Sequence, residues 1–553
     1  MAKPKTRVFG IDLGTTYSSI AMVGDFGKPM LIPNAENERT TPSCVFFDGE
    51  HVIVGAVAKE SSRLYPDSVV SFVKRSMGEM DFNFFHEGKV YRCEEISAYV
   101  LKKLVQDACA TTGEDISDVV ITCPAYFGIN EREATRRAGE IAGLTVRQII
   151  NEPTAAAISY GVTDTTEDRV VLVYDLGGGT FDITMIHIQP EAIEVICTGG
   201  DHNLGGKDWD DRIVAHLVEE FANQTGIRDD ILDDPLTWQD LQISAERMKK
   251  ILSQREVSAT AVTYGGQRAK VELSRKRFEE ITSDLLERTI MLTRSMLGEA
   301  EKKGYKSFHE FLLVGGSARM PQVQARITKE FAIEPRIYDP DEAVAKGAAI
   351  FGWKQAINDK LVARIAAKVK KPKEEVAKKL DVKSREFVEA ASELEKEEGY
   401  TLPAIKSSVM QIVDVTSKSF GVFATNKKGV DGVFNLVVKN TRVPVNADKD
   451  FYTAVDDQDS VHIRIMESED TDSWVDLSSC VEIGSAVLYL PAGLPKDSPI
   501  DITFSLNREG RLEITAKERT KGRKVAAVVE TRSVISGREL AEAKERCQRL
   551  RVH

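Results

Sequence analysis

At 553 residues and 61.3 kDa the chain exceeds one ordinary domain, and roughly two to four are expected. Hydrophobic residues at 42% and charged residues at 29% describe a globular protein with sizeable cores, and a formal net charge of −12 excludes a general nucleic-acid binder, since a phosphate backbone demands a net basic face. The seven cysteines are scattered and form no C-x-x-C pair, so free thiols in a reducing compartment are expected, not a disulfide framework or a zinc site. No apolar run long enough to span a bilayer occurs, and the N-terminal stretch lacks an apolar signal core, which makes the cytoplasm the expected location without a membrane partner.

In chain order, Phe9-Gly-Ile-Asp-Leu-Gly-Thr-Thr-Tyr-Ser-Ser-Ile20 reads as a strand ending in Asp-Leu-Gly, a turn of small residues and a returning strand. Leu172-Val-Tyr-Asp-Leu-Gly-Gly-Gly-Thr-Phe-Asp-Ile183 repeats the pattern 163 positions later, and a repeat at that distance predicts two similar lobes facing each other rather than a solenoid. Glycine lets a ligand approach the turn closely, successive backbone N–H groups form a concave anion site, and an aspartate at each strand end, Asp12 and Asp175, offers Mg²⁺ a hard oxygen directly or through water. A single Asp-Leu-Gly turn reads as no more than a tight hairpin; two in register predict a grip on a Mg²⁺-polyphosphate.

Between the hairpins and the third turn, Gly205-Gly206-Lys207 is followed by Asp208 where a P-loop requires Ser or Thr, and no G-x-G-x-x-G follows a strand, so P-loop and Rossmann sites are not expected. Glu246, Lys249, Lys250 and Ser253 share one helical face, which taken alone is an ordinary solvated face. Phe311-Leu-Leu-Val-Gly-Gly-Ser-Ala-Arg-Met-Pro321 is a third strand-to-glycine turn, expected to meet a base or sugar, with Arg319 stacking on the ring. Roughly half the residues of 359–398 are charged, with Leu361/Ile365 and Val376/Leu380 at helical spacing and a helix start at Pro372; the expectation is a solvated helical insertion or linker, with a docking arm as the alternative. Residues 417–535 alternate apolar and polar, as in Ser460-Val-His-Ile-Arg-Ile465, and predict an antiparallel β module.

These motifs, together with Ile149-Ile-Asn-Glu-Pro-Thr-Ala-Ala-Ala157 and Asp339-Pro-Asp-Glu-Ala-Val344, resemble the 70-kDa heat-shock chaperones, whose ATPase domain falls in the actin and sugar-kinase superfamily. The resemblance implies an α/β duplicated two-lobe ATPase domain over 1–357, a helical insertion at 358–405 without family counterpart, an interdomain linker at 406–416, a β-sandwich peptide-binding domain at 417–535, and the first turns of a lid helix at 536–553. It implies that Gly14, Thr15, Thr16 and Tyr17 of the first hairpin, and Gly177, Gly178, Gly179 and Thr180 of the second, contact phosphates. Lys74 and Glu152 then position the γ-phosphate and the attacking water, with Asp12, Asp175 and Asp182 as cleft carboxylates. Glu246, Lys249, Lys250 and Ser253, with Gly205, Gly206, Gly315, Gly316, Ser317, Arg319 and Asp341, surround the adenosine; the implied ligands are ATP or ADP, Mg²⁺ and, as a further candidate, K⁺. Val422, Phe451, Ala454, Val461 and Ile463 match positions lining a groove for extended peptides.

Several departures accompany the resemblance. Lys250 stands where the family commonly has arginine, and lysine cannot stack as a planar guanidinium does. Gln148 replaces an arginine that helps receive J-domain partners, Val409 and Gln411 replace linker residues, and Thr425 replaces a bulky residue over the peptide. The leading expectation is an ATP-dependent chaperone that couples nucleotide state to extended apolar polypeptide, with J-domain and nucleotide-exchange partners in question. The alternatives are an ATP-binding scaffold with one dedicated protein partner and, more remotely, a small-molecule kinase.

Overall fold

The computed structural model describes residues 7–24, 27–164, 168–190, 192–426, 428–507, 510–520, 522–528 and 534–553. Its first sheet runs in the order Thr145–Asn151, Asp118–Cys123, Phe9–Asp12, Tyr17–Val23, Pro29–Ile32. The second runs Arg336–Ile337, Glu310–Val314, Arg169–Leu176, Phe181–Ile188, Ala192–Asp201. In both, a central strand pairs parallel with an inner neighbour and antiparallel with the returning arm of its own hairpin. The duplication read from two hairpins therefore extends over whole sheets.

Two helices hold the lobes together. Glu152–Asp164 and the long Ala343–Val369 pack so closely that a Cβ on Gly347 would lie 1.7 Å from the Ala155 carbonyl oxygen, and one on Gly10 would lie 2.1 Å from the Ala349 nitrogen. Only glycine allows backbone to meet backbone at these crossings. Each lobe has its own apolar core, around Phe9, Tyr99 and Ile121 in the first and around Tyr174, Trp209 and Phe311 in the second.

The charge-rich stretch is helical but not a solvated linker. Ala343–Val369 runs without a break through residue 357, and Ile357, Leu361 and Ile365 on its far half pack against Val376, Phe387, Ala391, Leu394 and Ile405 from three shorter helices, Lys373–Lys378, Arg385–Glu398 and Leu402–Ser407. The charges occupy the outside, where Arg364 pairs with Glu397 and Lys368 with Glu393, both at 2.7 Å. A charged composition concealed a narrow apolar stripe on each helix, which is all that a small helical core requires.

Gln411–Val415 then joins the second sheet as an added strand, parallel to Ala192–Asp201 with Ile193 opposite Ile412. Beyond it, two antiparallel sheets, one containing Ser419–Thr425 and Ser460–Ser468 and the other Val445–Tyr452 and Pro499–Leu506, enclose Phe420, Ile463, Ile465, Phe504 and Ile514. The sandwich sits against the ATPase-like half: Ser417 Oγ donates to the Phe127 carbonyl at 2.8 Å, and the Ile129 amide donates to Glu467 at 3.3 Å. Helix Gly537–Arg549 lies on the first lobe, with Arg546 forming a two-pronged pair with Glu95 at 2.8 and 2.9 Å, and Arg551–Val552 extends the small sheet containing His51–Val54. All seven cysteines are free. Among the described residues no helix is long and apolar enough to cross a membrane.

Candidate active site between the lobes

The two hairpin turns meet face to face. A Cβ on Gly178 would lie 2.2 Å from Thr16 Oγ1, and one on Gly179 would lie 2.4 Å from the Thr15 methyl carbon, so the opposing small residues leave each other just enough room. Gly14 is equally constrained, since a Cβ there would sit 1.9 Å from the Tyr17 carbonyl oxygen. Within the second turn the Gly177 amide donates to the Thr180 carbonyl at 3.0 Å.

Behind the turns lies a concentration of buried charge. Asp175 and Asp182 stand opposite each other on the second hairpin, Asp12 ends the first strand, and Glu152 opens the helix after Asn151. Lys74, only 5% exposed, donates to Glu152 Oε1 at 2.5 Å. Phe72, at φ 60°, turns the chain sharply so that the 3₁₀ segment Val73–Ser76 carries that lysine inward. Burial and the neighbouring Glu152 push Asp12 up to about 7, the same two causes push Asp182 up to about 7, and Asp175 is raised by burial, then by Glu152, Asp182 and Asp12. Burial opposes the charge on Lys74, but Glu152 and Asp12 outweigh it and hold the amine above its ordinary value. One ammonium cannot balance this many carboxylates at low dielectric.

That imbalance tests the fit of a divalent cation. Among the described residues no group of three or more His, Cys, Asp or Glu forms a cage for an ion. The fit rests instead on the crowded carboxylate oxygens around one ammonium, hard donors of the kind Mg²⁺ takes. Thr122 Oγ1 donates to Asp12 at 3.2 Å and the Tyr126 amide donates to Asp182 at 3.0 Å, which orients both carboxylates without neutralising them.

The residues expected around an adenosine are brought together, though several are engaged with one another. Lys249 Nζ donates to the Gly206 carbonyl and to Asp210, each at 2.7 Å, and Ser253 Oγ donates to the Lys249 carbonyl at 3.1 Å. Burial raises Asp210 to about 6 against the pull of Lys249. Glu246 accepts from Lys59, from Lys250 at 2.8 Å and from the Tyr17 hydroxyl at 3.2 Å; burial works against its ionisation, yet the two lysines hold it down to about 2. The Lys250 ammonium also lies 4.8 Å over the Tyr17 ring, so it is committed to a bridge between the lobes. Across the cleft, a Cβ on Gly315 would fall 2.5 Å from Asp175 Oδ1, Gly316 approaches Asp341, and Arg319 pairs with Asp341. Ser317 is buried, and a Cβ on Gly206 would lie 2.4 Å from its Oγ. A Cβ on Gly205 would meet the Gly179 backbone at 2.5 Å.

Some members of this site went unnoticed in the sequence. Arg75, next to Lys74, donates from Nε to the Gly179 carbonyl at 3.0 Å and from its terminal nitrogens to Asp208 at 2.5 and 3.3 Å, while Asp208 caps Gly205 by accepting from its amide at 2.7 Å. Asp210 had one available signal: it lies beside Trp209 and one turn before Ile213 and Val214, on the buried stripe of its helix.

The groove candidates are less uniform. Val422 and Ile463 are buried in the sandwich core, Phe451 and Val461 are half-buried against it, and Ala454 is exposed. Thr425 is exposed at its strand end and donates to Asp431 at 2.7 Å.

Two comparisons bear on this geometry. The family model described as "Hsp70 protein" matches residues 8–357 and 400–551, leaving unmatched much of the helical stretch that has its own core. Two relatives, each described as "Chaperone protein DnaK" and drawn from two strains of Halobacterium salinarum, are 36% identical over 548 residues, covering 98% of this chain and 77% of theirs.

Proposed function

The chain belongs to the Hsp70 family, and on that premise we propose that it is a chaperone that hydrolyses ATP between its two lobes and couples the nucleotide to polypeptide held by its β-sandwich. The observation that carries the reading is the set of buried carboxylates behind two facing glycine turns, served by a single buried ammonium. The turns supply backbone N–H groups to the phosphates. Asp12 and Asp175 are the carboxylates assigned to Mg²⁺, through its waters, and the ion supplies charge neutralisation on the phosphate oxygens. Lys74 places positive charge at the γ-phosphate, and Glu152, fixed by Lys74, orients the attacking water. Phosphoryl transfer asks mainly for placement and charge of this kind.

Extended apolar segments are the proposed clients of the sandwich, with Phe451, Val461 and Ala454 as the accessible part of the groove and Val422 and Ile463 as its floor. Coupling runs through the added strand Gln411–Val415, which ties the sandwich to the second lobe. The test is ATP turnover with and without an uncharged apolar peptide, in the wild type and in Lys74→Ala. Peptide stimulation of the wild type, and loss of turnover with retained nucleotide in the variant, support the proposal. Calorimetry finding no Mg²⁺-dependent adenine-nucleotide binding would overturn it.

A further inference from the structure

The three glycine carbonyls of the second hairpin turn are all held from behind. The Gly206 amide donates to the Gly177 carbonyl at 3.0 Å, and the Lys207 amide donates to the Gly178 carbonyl at 2.8 Å. Both donors open helix Gly206–Thr225, where the first amides have no partner inside the helix. The Gly179 carbonyl accepts instead from Arg75 Nε at 3.0 Å. In a trans peptide the N–H points away from the C=O of the same unit. Holding these carbonyls therefore turns the amides of Gly178, Gly179 and Thr180 the other way. Among the described residues no acceptor takes any of those three amides, although Gly179 and Thr180 are buried. Buried amides are nearly always satisfied, so the row calls for a ligand rich in acceptors.

Two of the three holds come from the turn's own lobe, and the third comes from the other. Arg75 belongs to the first lobe, in whose core Val70, Val73 and Met77 are packed. Its terminal nitrogens reach Asp208 Oδ1 and Oδ2 at 3.3 and 2.5 Å, and Asp208 in turn accepts from the Gly205 amide at 2.7 Å. The contact is thus a planar fork that serves a carbonyl and a carboxylate together, which the single point charge of a lysine cannot do. Beside it, Lys207 Nζ of the second lobe lies 5.6 Å from the centre of the Phe72 ring of the first. Arg75 also follows Lys74 directly, so one 3₁₀ segment carries the ammonium to Glu152 and the guanidinium to the turn.

We propose that Arg75 is a positioning residue for the phosphates: from the first lobe it fixes the Gly179 carbonyl, and so aims the Thr180 amide of the second lobe into the cleft only while the lobes are closed. This rests on the reading of the cleft as the nucleotide site, and it gives that site a reason to grip phosphate according to closure. When the lobes part, Gly206 and Lys207 keep their two carbonyls, so most of the turn survives. Its last peptide loses its one hold and is free to rotate. Arg75 acts through the turn, since its guanidinium is committed to Gly179 and Asp208.

The test uses the full-length chain. Calorimetry measures Mg²⁺-ATP and Mg²⁺-ADP, and competition measures adenosine, which carries no phosphate. Arg75→Gln is expected to weaken both Mg²⁺-nucleotides about tenfold, the scale of one hydrogen bond to a charged group. Adenosine should bind it as it binds the wild type, which also establishes that the variant folds. Arg75→Lys should fall short by a similar factor, because it keeps the charge and lacks the fork; should Arg75→Gln fail to fold, this variant carries the comparison. At saturating Mg²⁺-ADP, amide exchange at Thr180 should slow in the wild type and much less in either variant. Wild-type nucleotide affinity in Arg75→Gln overturns the proposal, and so does full recovery in Arg75→Lys, since a bare positive charge would then suffice. Equal weakening of adenosine and nucleotides would make Arg75 a strut of the whole cleft and overturn it too. A wild type that binds no Mg²⁺-nucleotide would instead refute the nucleotide reading of the cleft, and this inference with it.

Discussion

Replacing Lys74 by methionine removes an ammonium while keeping the length of its stem. Lys74 and Glu152 are 5% and 7% exposed and bonded at 2.5 Å, and the space around them holds Asp12, Asp175 and Asp182. Removing one member of a buried pair leaves the other charge uncompensated and costs about 3–5 kcal/mol. The nucleotide-free Lys74→Met protein should therefore unfold at lower denaturant than the wild type at about pH 8. The double variant Lys74→Met/Glu152→Gln should recover most of the stability, because a neutral amide needs no counter-charge. It should not recover turnover, which both variants lose by about 10²–10³-fold if the ammonium acts on developing phosphate charge. Denaturant melts at about pH 8, paired with single-turnover ATP hydrolysis, check both halves. A single variant as stable as the double at about pH 8 would refute the account of a buried, mutually dependent pair.

Further outcomes follow from the same geometry. Asp12 and Asp182 lie at about 7 in the folded protein against an ordinary 3.8; a carboxyl raised by folding favours the fold while protonated, so their contribution is lost as pH rises through that window. The melting temperature of the nucleotide-free protein should accordingly fall between about pH 4 and pH 7 by more than that of Asp12→Asn/Asp182→Asn, and saturating Mg²⁺-ADP should flatten the difference. Lys59→Ala removes one strand of the Glu246, Lys250 and Tyr17 bridge across the cleft mouth and should speed release of a fluorescent ADP analogue several-fold, as expected for a partly buried pair worth about 1 kcal/mol. Phe387→Ala, in the core of the insertion and fully buried, should cost that module about 3–5 kcal/mol, visible as loss of amide-exchange protection over 373–407 while the cleft stays protected. Glu95→Ala should expose helix Gly537–Arg549 to proteolysis, since Arg546 loses both of its carboxylate contacts.

What could be read from the chain beforehand depended on whether a residue's partner lay in its own motif. The facing turns are legible because Asp-Leu-Gly recurs with glycine and threonine at matching places, whereas the strand order of the two sheets comes from the structure. Arg75, Asp208 and Lys59 were not legible: each is a single charge on an ordinary segment, and only the closure of one lobe on the other gives it a partner. Lys250 was read for its inability to stack, whereas the structure commits it to Tyr17 and Glu246. The core of the helical insertion is hidden in the sequence for a different reason. Leu361 and Ile365 were seen at core spacing, but Phe387, Ala391 and Leu394, the matching stripe, sit among glutamates and lysines, and the average charge outweighed the pattern. In the sandwich, strand alternation gave the β fold correctly, yet it could not separate the core, where Val422 and Ile463 are buried, from the surface, where Ala454 is exposed.

The path from the chemistry to the sandwich is short in this molecule. Lys74 holds Glu152; Glu152 is one peptide bond from Asn151; and Asn151 donates to Asp414 of the added strand at 2.7 Å while accepting from Arg132. Three residues beyond Asp414, Ser417 is bonded to the Phe127 carbonyl that Arg132 also holds. Burial raises Asp414, against the pull of Arg132, so the strand keeps its carboxylate cheaply only while Asn151 and Arg132 stay in place. A shift of Glu152 moves the backbone that carries Asn151, and the strand must then follow or lose its hydrogen bond. Contiguity alone does not establish coupling; a double-mutant cycle does. Asn151→Ala and Lys74→Met should be non-additive in the affinity of the sandwich for an apolar peptide, by about 0.5 kcal/mol or more, and strict additivity would place the coupling route elsewhere.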